Sequence, residues 1–535
     1  MVRRDGNTVP SLRTIGHKGL GAYYTPSAAA DLMANWVLRE PGDRILEPSF
    51  GDGAFVEALR RAATARAMPA PTVTGVEMAE DTYEAAVARG LVDGRLGIRD
   101  DFLRVPPFPV DSVIGNPPYV RLRFLPVAER EQALVAAREA MAADMESGGS
   151  TWMPFVLHAS RFLRPGGRMA WVLPYELTHV RYARPLWKYL GEQFGELRVV
   201  RVRERMFPDI LQETVVLFAD WRGKSTDHVT FDVFETVADF VAGRGGLRST
   251  PKLHRIIDGE RPFLEALLPT GLQALLHGKI EERSEPLEHY ASFGIGYVSG
   301  DKEFFHPSTG RVRSYRLPAS SLRPALASGR EVANAGLLSS GVPVEDRRRL
   351  FLPAADEDQH TDGERRYVLR GKRDKVHERY KTRIREPWFV VPGVSTPDLL
   401  LPVFSDVPRL LVNDAELAAT NSYMGATVRH ITANQLASRW YTSLTLLQAE
   451  LRTHALGGGV FVFVPRELNA IRIAHKGPAS EDLTHLHELA KSRDWPALFQ
   501  AGDDAVLRAH MELDEQEIAL LREGAAVLRR WRSAA

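Results

Sequence analysis

Apolar residues in the first 235 positions recur in two alternating rhythms. Short β-branched runs, RILE (44–47), TVTGVE (72–77), RLGIRDDF (95–102), DSVIGN (111–116) and RMAWVLP (168–174), read as strands. LRVVRVRE (197–204), ETVVLFADW (213–221) and HVTFDVFE (228–235) continue the series. Between the early runs, SAAADLMANWVLRE (27–40), AFVEALRRAATARA (54–67) and EDTYEAAVARG (80–90) read as helices. Such alternation predicts an α/β domain, a mostly parallel sheet with helices on both faces and ligands beyond the carboxyl ends of its strands. REQALVAAREAMAADMESGGS (130–150) predicts a helix ending in a Gly148-Gly149-Ser150 hinge, either a lid or an ordinary surface helix.

The rhythm breaks at GRGGLRSTPKLHR (243–255). This predicts a first domain over 1–245, a linker over 246–265 and a second domain over 266–535. The second domain is less periodic, mixes short strands with loops in mixed α+β fashion, and turns helical from about 475.

Composition narrows the chemistry. The 535 residues include no cysteine, which excludes disulfides, cysteine-held zinc and a cysteine nucleophile. The sixteen histidines are scattered without ligand spacing, so no metal is expected. No long uncharged apolar run occurs, so neither a membrane span nor a membrane partner is expected, and the expected location is cytoplasmic. Net charge is +1, so a polyanion-binding surface must be local. Residues 365–385 supply one, with ten Lys/Arg against Asp374 and Glu378. Arg365, Arg366, Arg370, Lys372, Arg373, Lys381, Arg383 and Arg385 are the candidate nucleic-acid contacts.

Two stretches carry the specific chemistry. ILEPSFGDGAF (45–55) runs a strand into a glycine turn and a helix, and Gly51 and Gly53 let backbone approach a ligand. Glu77 closes the next strand and suits two ribose hydroxyls, while Asp101-Phe102 offers an acceptor and a ring to an adenine. Neither a GxGxxG turn nor a phosphate-binding lysine is present, so a nucleoside without phosphates, S-adenosylmethionine, fits better, with Glu47 towards its cationic end.

The second stretch is VIGNPPYVR (113–121), where a strand stops at Asn116-Pro117-Pro118-Tyr119. An exocyclic amine on a base is a poor nucleophile because its lone pair is delocalised into the ring. The Asn116 side-chain oxygen and the Pro117 carbonyl can accept its two N–H bonds. The paired prolines stiffen that carbonyl, and Tyr119 offers a face for stacking.

In the order of these segments the chain resembles the γ class of DNA adenine-N6 methyltransferases, the TaqI-type enzymes of restriction–modification systems. AYYTPSAAADLM (22–33), EPSFGDGAF (47–55), Glu77, Asp101-Phe102 and NPPY (116–119) carry the resemblance. It implies a Rossmann-like class I methyltransferase domain followed by a target-recognition domain. It implies methyl-donor contacts from Tyr24, Thr25, Pro26, Glu47, Ser49, Gly51, Gly53, Glu77, Met78, Asp101, Phe102, Asn116 and Pro117. Ser49 stands where many relatives have alanine. Phe207, in RMFPDILQETVVLF (205–218), would be the second aromatic stacking on an extruded base.

The resemblance further implies double-stranded DNA as partner, S-adenosylhomocysteine as product, a monomer, a separate cognate endonuclease and a bacterial or archaeal source. Cytosine-C5 chemistry is excluded by the missing thiol, and cytosine-N4 enzymes more often have serine at the Asn116 position. Protein glutamine methyltransferases also use NPPY but lack a large basic domain after it.

Overall fold

Eight strands of the first unit form one sheet in the computed structural model, which describes residues 27–141, 145–146, 148–204, 213–456, 459–479 and 482–533. They are β1 (Arg44–Glu47), β2 (Thr72–Gly75), β3 (Val110–Gly115), β4 (Leu163–Pro174), β5 (Phe194–Val202), β6 (Thr214–Arg222), β7 (Thr230–Phe234) and β8 (Leu247–Ser249). Their order is β2-β1-β3-β4-β6-β5-β7-β8. β2, β1, β3 and β4 run parallel; β6 is antiparallel to both β4 and β5, and β5 is again parallel to β7. The carboxyl ends of β1, β3 and β4 therefore share one edge, where open α/β sheets place their ligands.

Helices α1 (Ser27–Val37) and α2 (Ala54–Ala65) precede and follow β1. Ala29, Ala30, Met33, Ala34 and Val37 of α1 and Phe55, Ala58, Leu59 and Ala62 of α2 join one core with Ile45, Ile114, Ala170, Val172, Val200 and Val216 of the sheet. The small residues of α1 let it lie close over strands that read as nearly continuous apolar runs, the pattern of strands buried on both faces. α3 (Glu80–Ala88), α4 (Val127–Met141), α5 (Trp152–Ser160), α6 (Arg184–Gln193), α7 (Val237–Ala242) and α8 (Leu253–Asp258) complete the unit, and every residue of α5 is buried.

Two elements differ from the sequence expectation. RLGIRDDF (95–102) is no strand, contributing only a parallel bridge between Ile98 and Val76. The amides of Leu96 and Gly97 both turn back to the Asp93 carbonyl at 2.8 Å, and the Gly97 carbonyl accepts from the Tyr83 hydroxyl. Local turn bonds replace a ladder there. Residues 246–265 hold β8, paired antiparallel with β7, then α8 and a short helix, Pro262–Glu265.

The described residues divide into two compact units, one ending at Leu267 and the other Leu268–Ser533. The second unit has a four-stranded antiparallel sheet ordered Ala291–Ile295, Tyr423–Val428, Leu399–Pro402, Leu411–Val412. Trp440, Tyr441, Leu399, Leu401 and Phe463 anchor the core around it. An aromatic cluster of Phe304, Tyr367, Phe351 and Phe389 forms another, with Phe304 and Tyr367 stacked at 4.8 Å. Among the described residues no helix is long and apolar enough to cross a membrane.

Candidate functional site

The carboxyl ends of β1 and β3 open on a cavity of about 370 Å³. Leu46 of β1 pairs with Val113 of β3, so Glu47, one step on, and Gly115-Asn116, two and three positions beyond Val113, reach the same edge. The lining includes Glu47, Ser49, Gly51, Glu77, Met78, Asp101, Phe102, Asn116 and Pro118. Four segments separated by up to about seventy positions thus meet at one opening. Gly53, Pro117 and Tyr119 are not in the lining. Tyr24, Thr25, Pro26 and Phe207 lie outside the described residues.

The glycine turn owes its shape to backbone conformation. Gly51 has φ +53° and Gly53 φ +85°, and a Cβ on Gly53 would meet Leu91 Cδ1 at 2.8 Å. Glu77 braces this turn, its carboxylate accepting the Gly51 N–H at 3.1 Å and the Ala79 N–H at 2.9 Å. A carboxylate has about four acceptor positions, so both ties leave capacity for hydroxyl donors. Ser49 donates its hydroxyl to the Asn116 carbonyl at 3.2 Å and so couples the glycine turn to the NPPY loop, a link the sequence does not announce.

Glu47 is 1% exposed, and among the described residues its Oε2 has no hydrogen-bond partner. Burial pushes its carboxyl well above the ordinary range, and the negative charges of Asp52 and Glu77 push it further the same way. Asp52 is also raised, chiefly by burial. Seven carboxylates line the cavity (Glu47, Asp52, Glu77, Asp81, Asp100, Asp101 and Glu129) against one cation, Arg89. Such a wall repels phosphates and attracts positive charge. Asp101 caps the turn at Phe102–Arg104 by accepting the Leu103 N–H at 3.1 Å. The Phe102 ring lies among Phe155, Phe162 and His158, with centroids 5.0–5.5 Å away.

The NPPY loop is braced from behind. The Tyr119 hydroxyl lies 2.8 Å from Asn116 Oδ1 and 3.0 Å from the Val172 carbonyl, tying the loop to the end of β4. Thr151 stands at the start of α5, 1% exposed, yet its hydroxyl does not cap that helix. It donates instead to the Pro118 carbonyl and accepts the Val120 N–H at 3.1 Å. The backbone adds Thr151 N–H to the Val120 carbonyl at 2.9 Å and Leu122 N–H to the Gly149 carbonyl at 2.9 Å. Beyond this clamp, Arg121 donates to Glu176 at 2.7 Å, and Trp152 and Tyr182 donate to the same carboxylate.

Sequence reasoning singled out neither Thr151 nor Glu176. The available signal was a serine–threonine pair after two glycines and before an apolar helix, which reads as an ordinary cap. Among the described residues no cluster of three or more His, Asp or Glu could hold a metal ion.

In the second unit, residues 365–385 begin with the helix Asp362–Arg373, capped by Thr361 and Glu364. Arg365, Arg366, Lys372, Arg373, Lys381 and Arg383 are exposed. Arg370 pairs with Asp374 at 3.1 Å, and Lys372 lies 4.0 Å from Glu357. Arg385 gives its guanidinium to the Val298 and Ser299 carbonyls at 2.5 and 2.9 Å, a structural commitment.

Residues 13–218 match the N-6 DNA Methylase family, and residues 260–507 match the C-terminal domain of Type II methyltransferase M.Eco57I. The chain is 24% identical to Type II methyltransferase M.PaeR7I of Pseudomonas aeruginosa, over 94% of each chain. It is 20% identical to Type II methyltransferase M.AccI of Acinetobacter calcoaceticus, over 84% of this chain and 85% of that one. A shorter match, 29% identical over 27% of this chain and 50% of the other, is to a release factor glutamine methyltransferase of Gloeobacter violaceus. The type IIL restriction-modification enzyme MmeI, solved in complex with DNA, shares the fold with a TM-score of 0.54 at 12% identity, covering 95% of this chain and 75% of that one.

Proposed function

With residues 13–218 belonging to the N-6 DNA Methylase family and residues 260–507 to the M.Eco57I C-terminal domain family, we propose that this protein methylates N6 of adenine in double-stranded DNA. The methyl donor is S-adenosylmethionine, and the biological role is protection of DNA within a restriction–modification system. The observation that carries this reading is the meeting of Asn116 with Glu47, Glu77 and Asp101 around one acidic cavity.

The cavity fits the donor. A buried Glu47 oxygen with no partner among the described residues is an acceptor for a cationic group, and seven carboxylates against one arginine suit a positively charged nucleoside rather than a phosphate-bearing cofactor. Glu47 would hold the amino acid end, Gly51 and Ser49 would line its approach, Glu77 would accept the ribose hydroxyls, and Asp101 and Phe102 would meet the adenine. Bound there, the donor supplies an electrophilic methyl group on a sulfonium sulfur.

The remaining work falls to the chain. Asn116 Oδ1 and the Pro117 carbonyl accept the two N–H bonds of the target amine, which favours a pyramidal nitrogen and exposes its lone pair. Tyr119, bonded to Asn116 Oδ1 at 2.8 Å, fixes the amide's rotation. An adenine within a duplex cannot reach Asn116, so it must leave the stack at a cost of a few kcal/mol, partly offset by stacking on Tyr119.

A second reading, methylation of a glutamine side chain, is favoured by the glutamine methyltransferase match, since an amide nitrogen poses the same chemical problem. Incubating the protein with methyl-labelled S-adenosylmethionine and either duplex DNA or release-factor protein separates the two. Label recovered as N6-methyladenine is the expected result. Label only in protein overturns the proposal.

A further inference from the structure

The basic stretch contains a segment whose apolar side chains are as exposed as its charges. Between Arg379 and Arg385, Tyr380 is 64% and Ile384 67% exposed. One exposed apolar residue needs no explanation, but two bracketing a pair of cations form a shaped feature.

The segment is firmly mounted. Thr382, between the two, is fully buried, and its hydroxyl donates to the carbonyls of Val376 and Arg379. Backbone bonds from Arg383 to Arg379 at 2.9 Å and from Arg385 to Thr382 at 3.0 Å close the turn. One end is anchored by Arg379 paired with the buried carboxylate of Asp301, the other by the Arg385 guanidinium on the Val298 and Ser299 carbonyls. Tyr367 and Trp388, the neighbouring aromatics, belong to the core instead, packed on Phe304.

The charges at the tip are uncompensated. The Lys381 ammonium lies 5.2 Å and the Arg383 guanidinium 5.6 Å from the Tyr380 ring centre, and neither forms an ion pair among the described residues. A matching partner must offer anionic groups beside apolar faces a few ångströms away. Duplex DNA has that arrangement, with phosphate rows bordering a groove whose floor is made of base edges and base-pair steps.

We propose that Tyr380 and Ile384 enter a groove of duplex DNA while Lys381 and Arg383 engage phosphates beside it. The inference rests on the DNA methyltransferase reading and adds a division of labour within the basic stretch. Lys381 and Arg383 supply salt-dependent affinity, and the apolar pair supplies a salt-independent contact with the bases.

Two double variants of the full chain test it, with DNA binding measured by fluorescence anisotropy over a range of KCl concentrations. K381A/R383A should flatten the log Kd against log salt slope by about 2, one phosphate per residue. Y380A/I384A should weaken binding by about tenfold or more at every salt concentration and leave the slope unchanged. Retained S-adenosylmethionine affinity in calorimetry and an unchanged Tm show that both variants are folded, as expected for four exposed side chains.

Wild-type affinity in Y380A/I384A overturns the proposal, as does a loss confined to the slope. A Y380A/I384A variant that binds DNA normally but no longer binds vesicles of anionic phospholipid assigns the tip to a membrane instead and also overturns it. If the wild-type protein methylates no DNA, the functional reading itself fails. If it methylates DNA and Y380A/I384A binds as tightly as wild type, only this inference falls.

Discussion

Substituting Thr151 by valine keeps a β-branched side chain of the same shape and removes one hydroxyl. The Val120 N–H, bonded to that hydroxyl at 3.1 Å, and the Pro118 carbonyl, which accepts from it, each lose a partner in a region where Thr151 is 1% exposed. An unsatisfied buried donor or acceptor costs about 1–3 kcal/mol. If the loop stayed in place, the protein would lose roughly 2–6 kcal/mol of stability, a large share of the about 5–15 kcal/mol a domain has in hand.

The backbone bonds between Thr151 and Val120 and between Leu122 and Gly149 remain, so the loop stays attached but looser. A shift of about 1 Å in a reacting geometry costs on the order of 10²-fold in rate. T151V is therefore expected to lower kcat about 10- to 100-fold with little change in S-adenosylmethionine affinity, and T151S, which keeps the hydroxyl, should restore most of the rate. Single-turnover methylation of duplex DNA, calorimetric cofactor titration and thermal unfolding measured together resolve the effect. A T151V protein with a lowered Tm but wild-type kcat would show that the hydroxyl only stabilises the fold. A T151S protein as slow as T151V would remove the hydroxyl from the argument.

Asn116→Ala removes one acceptor from the target amine, and methyl transfer should fall roughly 10²–10³-fold while cofactor affinity holds; near-normal turnover would contradict the assigned role. Glu47 gives a prediction with opposite signs in two assays. Its carboxyl is raised in the folded chain, so its contribution to stability is present at low pH and is lost as pH rises through the folded value. Glu47→Gln should therefore raise Tm relative to wild type above neutral pH and weaken binding of both S-adenosylmethionine and S-adenosylhomocysteine, which share the same α-ammonium; unchanged affinity for both would detach Glu47 from the amino acid end. Gly53→Ala, at φ +85° and with Leu91 Cδ1 2.8 Å from the new Cβ, should cost about 1–2 kcal/mol from backbone strain alone, read as a fall in Tm. An unchanged Tm would mean that the turn tolerates side chains.

Much of the site is legible in the sequence because its parts are local. A strand running into EPSFGDGAF needs Gly51 and Gly53 for backbone conformation, and a strand running into NPPY must end where two prolines remove its donors. Each requirement is met within a few residues, so spacing and residue type reveal it. Strand–helix alternation likewise implies that both segments end on one edge of a sheet. The brace is not legible, because it joins distant segments through groups every chain contains: a threonine hydroxyl, a serine hydroxyl on the Asn116 carbonyl, a glutamate shared by Arg121, Trp152 and Tyr182. Thr151 even carries a misleading local signal, sitting where a helix cap belongs while bonding to another loop.

Charge reads in the same divided way. The sequence by itself set how many cations lie between 365 and 385, but only the folded chain decided which are available to a partner. Arg370 and Arg385 bond to acceptor oxygens of the protein, Lys381 and Arg383 form no ion pair among the described residues, and Tyr367 is core while Tyr380 is exposed. Residues 95–102 make the same point for secondary structure, since their strand-like composition is overridden by turn bonds to Asp93 and by the packing of Tyr83 on Gly97. Sequence determines conformations and chemistries that need only near neighbours. Partner choice for a hydroxyl, a guanidinium or a ring is settled by whichever groups the fold brings within about 3 Å, and that is a property of the tertiary structure alone.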